Sequence, residues 1–168
     1  MKLIVIALLA LILCSIPALA QDADGDGIPD AVEADLGSSV QRAQEFTRLA
    51  YDGSAKGGDR SLSSSFADAP DFLEIGLANI AADRWLFRVT FAGDYVADGN
   101  TFILYLDMDR DLGTGRQDVK ANQGTDIMYV QQNGKFTTAE HTKGLQRGPA
   151  RLAVVDNTLY ISTDAAIG

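Results

Sequence analysis

Five acids stand within twelve residues of this chain, in the order Asp22-Ala-Asp24-Gly-Asp26-Gly27-Ile28-Pro-Asp30-Ala-Val-Glu33. The order satisfies the pattern D-x-D-x-D-G-x5-E, whose spacing encloses a calcium ion. Calcium takes roughly six to eight hard oxygens at about 2.3–2.6 Å. Asp22, Asp24 and Asp26 supply carboxylates at alternate positions, so they converge on one side of an ion. Gly27 allows the sharp turn at the sixth position. Ile28 then offers its carbonyl, Asp30 binds directly or through water, and Glu33 closes the site with two oxygens. Without a cation, five negative charges would repel one another in one tight loop. The competing reading is an acidic, solvated turn.

A second acidic run follows an apolar stretch: Leu104-Tyr-Leu106-Asp107-Met-Asp109-Arg-Asp111-Leu112-Gly113-Thr114-Gly115. Its carboxylates also alternate, but Leu112 stands where the calcium loop needs glycine and Asp118 where it needs glutamate. This is a strand running into a Gly-rich turn. Asp107, Asp109 and Asp111 either hold a cation or cap the turn through their side chains. Asp126, which opens a later strand, is placed to approach the same cluster.

Other chemistries lack their residues. The single histidine, His141, lies in a polar stretch with no cysteine or histidine partner, so a zinc site is not expected. No Ser/His/Asp or Cys/His arrangement and no phosphate-binding glycine loop is present. Paired carboxylates could serve a hydrolase, but both acidic runs are spaced for cations. The chain is therefore expected not to be an enzyme. Its formal net charge is −9, from 14 basic and 23 acidic residues, with no Lys/Arg cluster, which argues against nucleic acid as a partner.

The ends of the chain carry further expectations. Met1-Lys2, the apolar run Leu3 to Leu13, Pro17 and Ala18-Leu-Ala20 form a secretory signal peptide over residues 1–20. Ser15 and Pro17 interrupt the run before it reaches the length of a membrane span. The address is thus secreted or extracytoplasmic, with no membrane span after signal removal. Cys14, the one cysteine, leaves with the signal, so disulfides stabilise nothing.

The elements that must hold these acids can be read from periodicity. Val32 and Leu36, followed by Gly37, make a short helix leaving the loop, so residues 21–37 form the exiting half of an EF-hand-like unit. Such a unit cannot bury a core, so it packs on something else or is a mobile leader. Residues 38–70 read as a linker with a first strand near Glu45–Tyr51. From residue 71 the period is two: Leu73/Ile75/Leu77, then Trp85/Phe87/Val89/Phe91, which form a hairpin and place Trp85 with the core residues. Phe102/Leu104/Leu106 and Ile127–Val130 follow. Asn133-Gly134 is a hairpin turn before Lys135-Phe136-Thr137, and Leu152–Val155 pairs with Leu159–Ser162 across Asp156-Asn157. The fold class is mainly β: an antiparallel, jelly-roll-like β-sandwich over residues 71–168, whose pattern calls for further strands beyond Gly168.

Two resemblances accompany this reading. Asp22-Ala-Asp-Gly-Asp-Gly-Ile-Pro-Asp30 resembles a thrombospondin type 3 calcium repeat over residues 22–36, in a single copy. More weakly, Phe72-Leu-Glu-Ile, Arg84-Trp-Leu-Phe-Arg-Val, Phe102-Ile-Leu-Tyr-Leu-Asp107-Met-Asp109, Thr114-Gly115 and Gly124-Thr-Asp126-Ile-Met-Tyr are together similar to DOMON-like and family-9-type carbohydrate-binding modules, over about residues 71–162. This likeness implies a structural cation region at Asp107, Asp109 and Asp126. It implies carbohydrate as the ligand class, or another cell-surface polymer, without identifying ligand-binding residues. The expected function is a secreted, calcium-binding, non-catalytic module of a larger extracellular protein. The alternative is a calcium-stiffened linker or scaffold segment with no ligand of its own.

Overall fold

The computed structural model describes residues 21–51, 71–82, 84–118, 123–140 and 150–163. Residues 1–20, read as a signal peptide and holding Cys14, the polar stretch holding His141, and the residues after Thr163 lie outside them. The described elements are one helix, α1 (Asp30–Leu36), and eight strands: β1 (Thr47–Tyr51), β2 (Phe72–Ala81), β3 (Arg84–Phe91), β4 (Thr101–Leu106), β5 (Ile127–Gln132), β6 (Lys135–Glu140), β7 (Arg151–Val155) and β8 (Thr158–Thr163).

These strands form two antiparallel sheets. The larger has the order β1-β2-β3-β8-β7 and the smaller β4-β5-β6. The expected hairpins are present. β2 turns into β3 with Leu77 opposite Phe87 and Asn79 opposite Trp85. β5 turns into β6 through Asn133 and Gly134, whose φ values of 49° and 70° are those a tight primed turn requires. β7 turns into β8 through Asp156, at φ 51°. β1 pairs with β2, so the sheet begins at Thr47, inside the segment read as a linker.

The sheets pack face to face as a sandwich. Phe87, Val89 and Phe91 of β3 and Leu159 and Ile161 of β8 meet Ile127 and Tyr129 of β5, with Tyr95 and Met108 closing the cluster. Polar groups inside it are paired. The Tyr129 hydroxyl donates to Thr163 Oγ1 across the sheets at 2.6 Å, and the Tyr95 hydroxyl donates to Gln131 Oε1. Tyr95 also stacks on Phe91, ring centroids 4.6 Å apart.

A second, smaller core lies on the opposite face of the large sheet. There Leu86 of β3 and Tyr160 of β8 are covered by Ile28 and Leu36, with Val32 and Phe46 packed alongside. β3 and β8 therefore bury residues on both faces, β3 with Leu86 outward and Phe87 inward. The acidic-loop segment is thus docked on the sandwich. Of the two expectations, packing and mobile leader, packing is the one realised. Among the described residues, no helix is long and apolar enough to cross a membrane.

Candidate metal centre

The loop is built by its own carboxylates. Asp22 accepts from the backbone N–H groups of Gly25 at 2.7 Å and Gly27 at 2.9 Å. Asp24 Oδ1 accepts from Asp26 N, and Asp26 Oδ1 from Ile28 N at 2.9 Å. Gly27 sits at φ 91°, a conformation that strains any residue with a Cβ, as its position in the pattern anticipated. The loop then enters α1 through Pro29, whose carbonyl receives Val32 N and Glu33 N. Seven residues are too few for a helix to be stable alone. What holds α1 is the burial of Leu36 and its C-terminal stop. Gly37 takes φ 76° and returns its N–H to the Glu33 carbonyl. Arg84 of β3 donates to the Leu36 and Gly37 carbonyls at 3.1 and 3.2 Å, completing the cap from another element.

Asp22, Asp24 and Asp26 each bring a carboxylate oxygen within 4.8 Å of the others, a group that could hold a metal ion. Glu33 is not in that group of three, but it lies near enough for the charges of Asp24 and Asp26 to act on it. It is fully buried. Its Oε1 accepts from the Ser38 hydroxyl at 3.4 Å, while Oε2 is buried without a hydrogen-bond partner, as is Asp24 Oδ2. Burial raises the Glu33 carboxyl to about 7, reinforced by the negative charges of Asp24 and Asp26, against smaller opposing contributions from Gln44 and Ser38 beside it. Asp24 is raised too, by burial and by the negative charges of Asp26 and Asp22, against an opposing hydrogen bond from the Asp26 backbone.

Ile28 and Asp30 have evident structural duties. Ile28 drives its side chain into the outer core. Asp30 Oδ1 accepts from Ala23 N at 2.8 Å, while its own N–H donates to the Gln21 carbonyl, stapling the start of the loop to the start of the helix. Asp30 is not in the group of three converging acids. One contact had no signal in the spacing: Gln44, ahead of β1, donates its backbone N–H to Asp26 Oδ2 at 2.9 Å. A lone glutamine in a polar stretch announces nothing in sequence.

The second cluster is also assembled. Asp107, Asp109 and Asp126 bring oxygens within 4.8 Å of one another, so they too could hold a metal ion. The turn-forming reading is equally visible. Asp107 accepts from Arg110 N, Asp109 from Asp111 N and Asp111 from Gly113 N, at 2.7–2.9 Å. Asp111 thus serves the turn and lies outside the converging three. Thr114 Oγ1 lies 2.9 Å from Asp109 Oδ2. Asp126, 1 % exposed, reaches back from the start of β5 to receive Met108 N at 2.7 Å. Among the described residues this cluster has no counterpart of the buried, partnerless Glu33 oxygen.

Trp85 departs from its expected place. It is half-buried and does not belong to the central cluster. It lines a groove of about 430 Å³ at the β1 end of the large sheet, with Leu49, Leu77, Asn79, Arg42 and Glu45. The alternation was right about its face, but the opposing sheet's core residues cluster around β3, β8 and β5 and leave it at the margin.

No protein-family model, no curated protein and no solved structure matches the chain significantly.

Proposed function

We propose that this protein is a calcium-binding, non-catalytic β-sandwich module in which the ion fastens the N-terminal loop and helix to the outer face of the large sheet. One observation carries the reading: Glu33 is fully buried and offers a partnerless oxygen beside Asp24 and Asp26. A buried carboxylate within the field of two others is costly unless neutralised. A divalent cation neutralises all of them at once. The donors are hard oxygens, and the loop follows the calcium spacing, which favours calcium over softer metals. The signal-like leader supports an extracytoplasmic address, where weak sites of about 10⁻⁴–10⁻³ M are filled. The test is thermal melting of the full chain with increasing calcium. The midpoint is expected to rise with millimolar calcium, as for any ligand that binds only the folded state. An unchanged midpoint sinks the proposal.

A second reading has its own observation. The groove holding Trp85 presents an indole flanked by Asn79, Arg42 and Glu45, a mixture of aromatic face and hydrogen-bonding groups suited to a sugar. On this reading the module binds carbohydrate. A glycan array with the calcium-loaded chain is expected to give hits that Trp85→Ala abolishes. An empty array leaves the scaffold role.

A further inference from the structure

The twelve-residue loop has a neighbour whose position suits a ligand. Gln44 lies eleven residues beyond Glu33, in the segment between α1 and β1. Its backbone donates to Asp26 Oδ2, and its side-chain amide N–H is directed at the Glu33 carboxylate, favouring the ionised form. It therefore spans two acids of the loop. Its amide nitrogen is occupied, donating to the Ser39 carbonyl at 3.2 Å and to the Arg42 carbonyl. That fixes which end of the amide is left over. The remaining atom, Oε1, is buried and has no hydrogen-bond partner.

Three buried oxygens in this one region thus lack a hydrogen donor: Asp24 Oδ2, Glu33 Oε2 and Gln44 Oε1. Ionised carboxylate and amide oxygens have no proton to donate and cannot satisfy one another. Each buried acceptor left unpaired costs about 1–3 kcal/mol, a cost that one shared partner would lift from all three. The contact of the Gln44 amide N–H with Glu33 leaves Gln44 Oε1 itself unpaired. A cation relieves all three, and an amide oxygen is an ordinary hard ligand for calcium.

We propose that Gln44 Oε1 is a direct ligand of the cation held by the Asp22 loop, supplied from outside the twelve residues. The inference rests on the calcium reading above and adds a residue to it. Its consequence is mechanical. The ion ties the loop both to α1, through Glu33, and to the chain entering β1, through Gln44, closing residues 22–44 into one unit on the sheet.

The experiment counts water on the ion. Terbium, a luminescent calcium substitute, is bound to the full chain carrying Asp107→Asn and Asp109→Asn, which silence the second cluster. Emission lifetimes in H2O and D2O give the number of coordinated waters. Gln44→Ala is expected to add about one water and to weaken calcium binding by about tenfold or more, since affinity follows ligand count. Gln44→Glu, which keeps an oxygen in place, should leave the hydration unchanged. Gln44→Met keeps the length and apolar stem but offers only a soft sulfur, so it should behave like Gln44→Ala even if the alanine variant folds poorly. Equal hydration and affinity in the parent, Gln44→Ala and Gln44→Met would overturn the proposal while leaving the calcium site intact. Terbium uptake that Glu33→Gln does not reduce would overturn the calcium reading, and this one with it.

Discussion

At the scale of single residues, Glu33 concentrates the physics of the loop. Its carboxyl is raised from 4.5 to about 7, chiefly by burial and then by Asp24 and Asp26. Between these two values the folded chain holds a proton that the unfolded chain releases. In the cation-free protein the Glu33 contribution to stability is therefore expected to be present in full below pH 4.5 and to be lost as pH rises to about 7. Calcium replaces the proton, so its affinity should climb through the same window. Melting in chelator at pH 5 and pH 7.5, with and without Glu33→Gln, checks the sign: the variant lacks this part of the decline. Glu33→Gln should thus melt no lower than the parent in chelator at pH 7.5, yet gain much less from calcium. A variant that is less stable in chelator but responds fully to calcium would assign Glu33 a packing role only.

At the scale of elements, α1 is a helix made by its surroundings. Leu36 and Ile28 fill the outer core against Leu86 and Tyr160, and Arg84 caps the last turn. Leu36→Ala is expected to cost roughly 2–5 kcal/mol, the range for emptying a fully buried leucine site. It should also weaken calcium binding, because Glu33 sits one turn away on the same helix. Chemical denaturation and calorimetry on one preparation measure both. Gly37→Ala acts on the same junction. Its Cβ would meet the Arg84 guanidinium at a positive φ, so a loss of about 1 kcal/mol or more is expected from equilibrium unfolding. The strands were more legible. The alternations at Ile75/Leu77 and Phe87/Val89/Phe91 place β2 and β3, although a register shift between Phe72 and Glu74 puts Phe72 in place of Leu73 against the core, and Asn133-Gly134 places the β5–β6 turn. Trp85 was less so. Alternation reports which face a side chain takes, while the extent of the opposing layer decides whether that face is covered.

At the scale of the whole molecule, the sandwich has a core between its sheets and a second core outside the larger one, both running through β3 and β8. Because those two strands share both cores, calcium bound at the loop should stabilise the sandwich as a unit. Melting followed separately by far-UV circular dichroism and by Trp85 fluorescence is expected to give one coincident transition that calcium moves upward. Two transitions, with only the lower one responding to calcium, would mean that the loop and helix unfold independently of the sheets.

The sequence by itself determined the acidic loop, its turn glycine, the helix that leaves it and most of the strands. Those features are local, and spacing alone encodes them. The convergence of Asp126 with Asp107 and Asp109 was anticipated from its place at the start of β5, but only the sheet register brings their oxygens within reach. Tertiary structure alone decided that Ile28 and Leu36 cover Leu86 and Tyr160, that Arg84 caps α1, and that Gln44 comes to lie against Asp26 and Glu33. Each joins residues distant in the chain through faces and edges that exist only once the sheets have formed. The loop's spacing could thus be read as a calcium pattern from the start. Which groups come to lie around that loop was decided by what the sandwich packs against it.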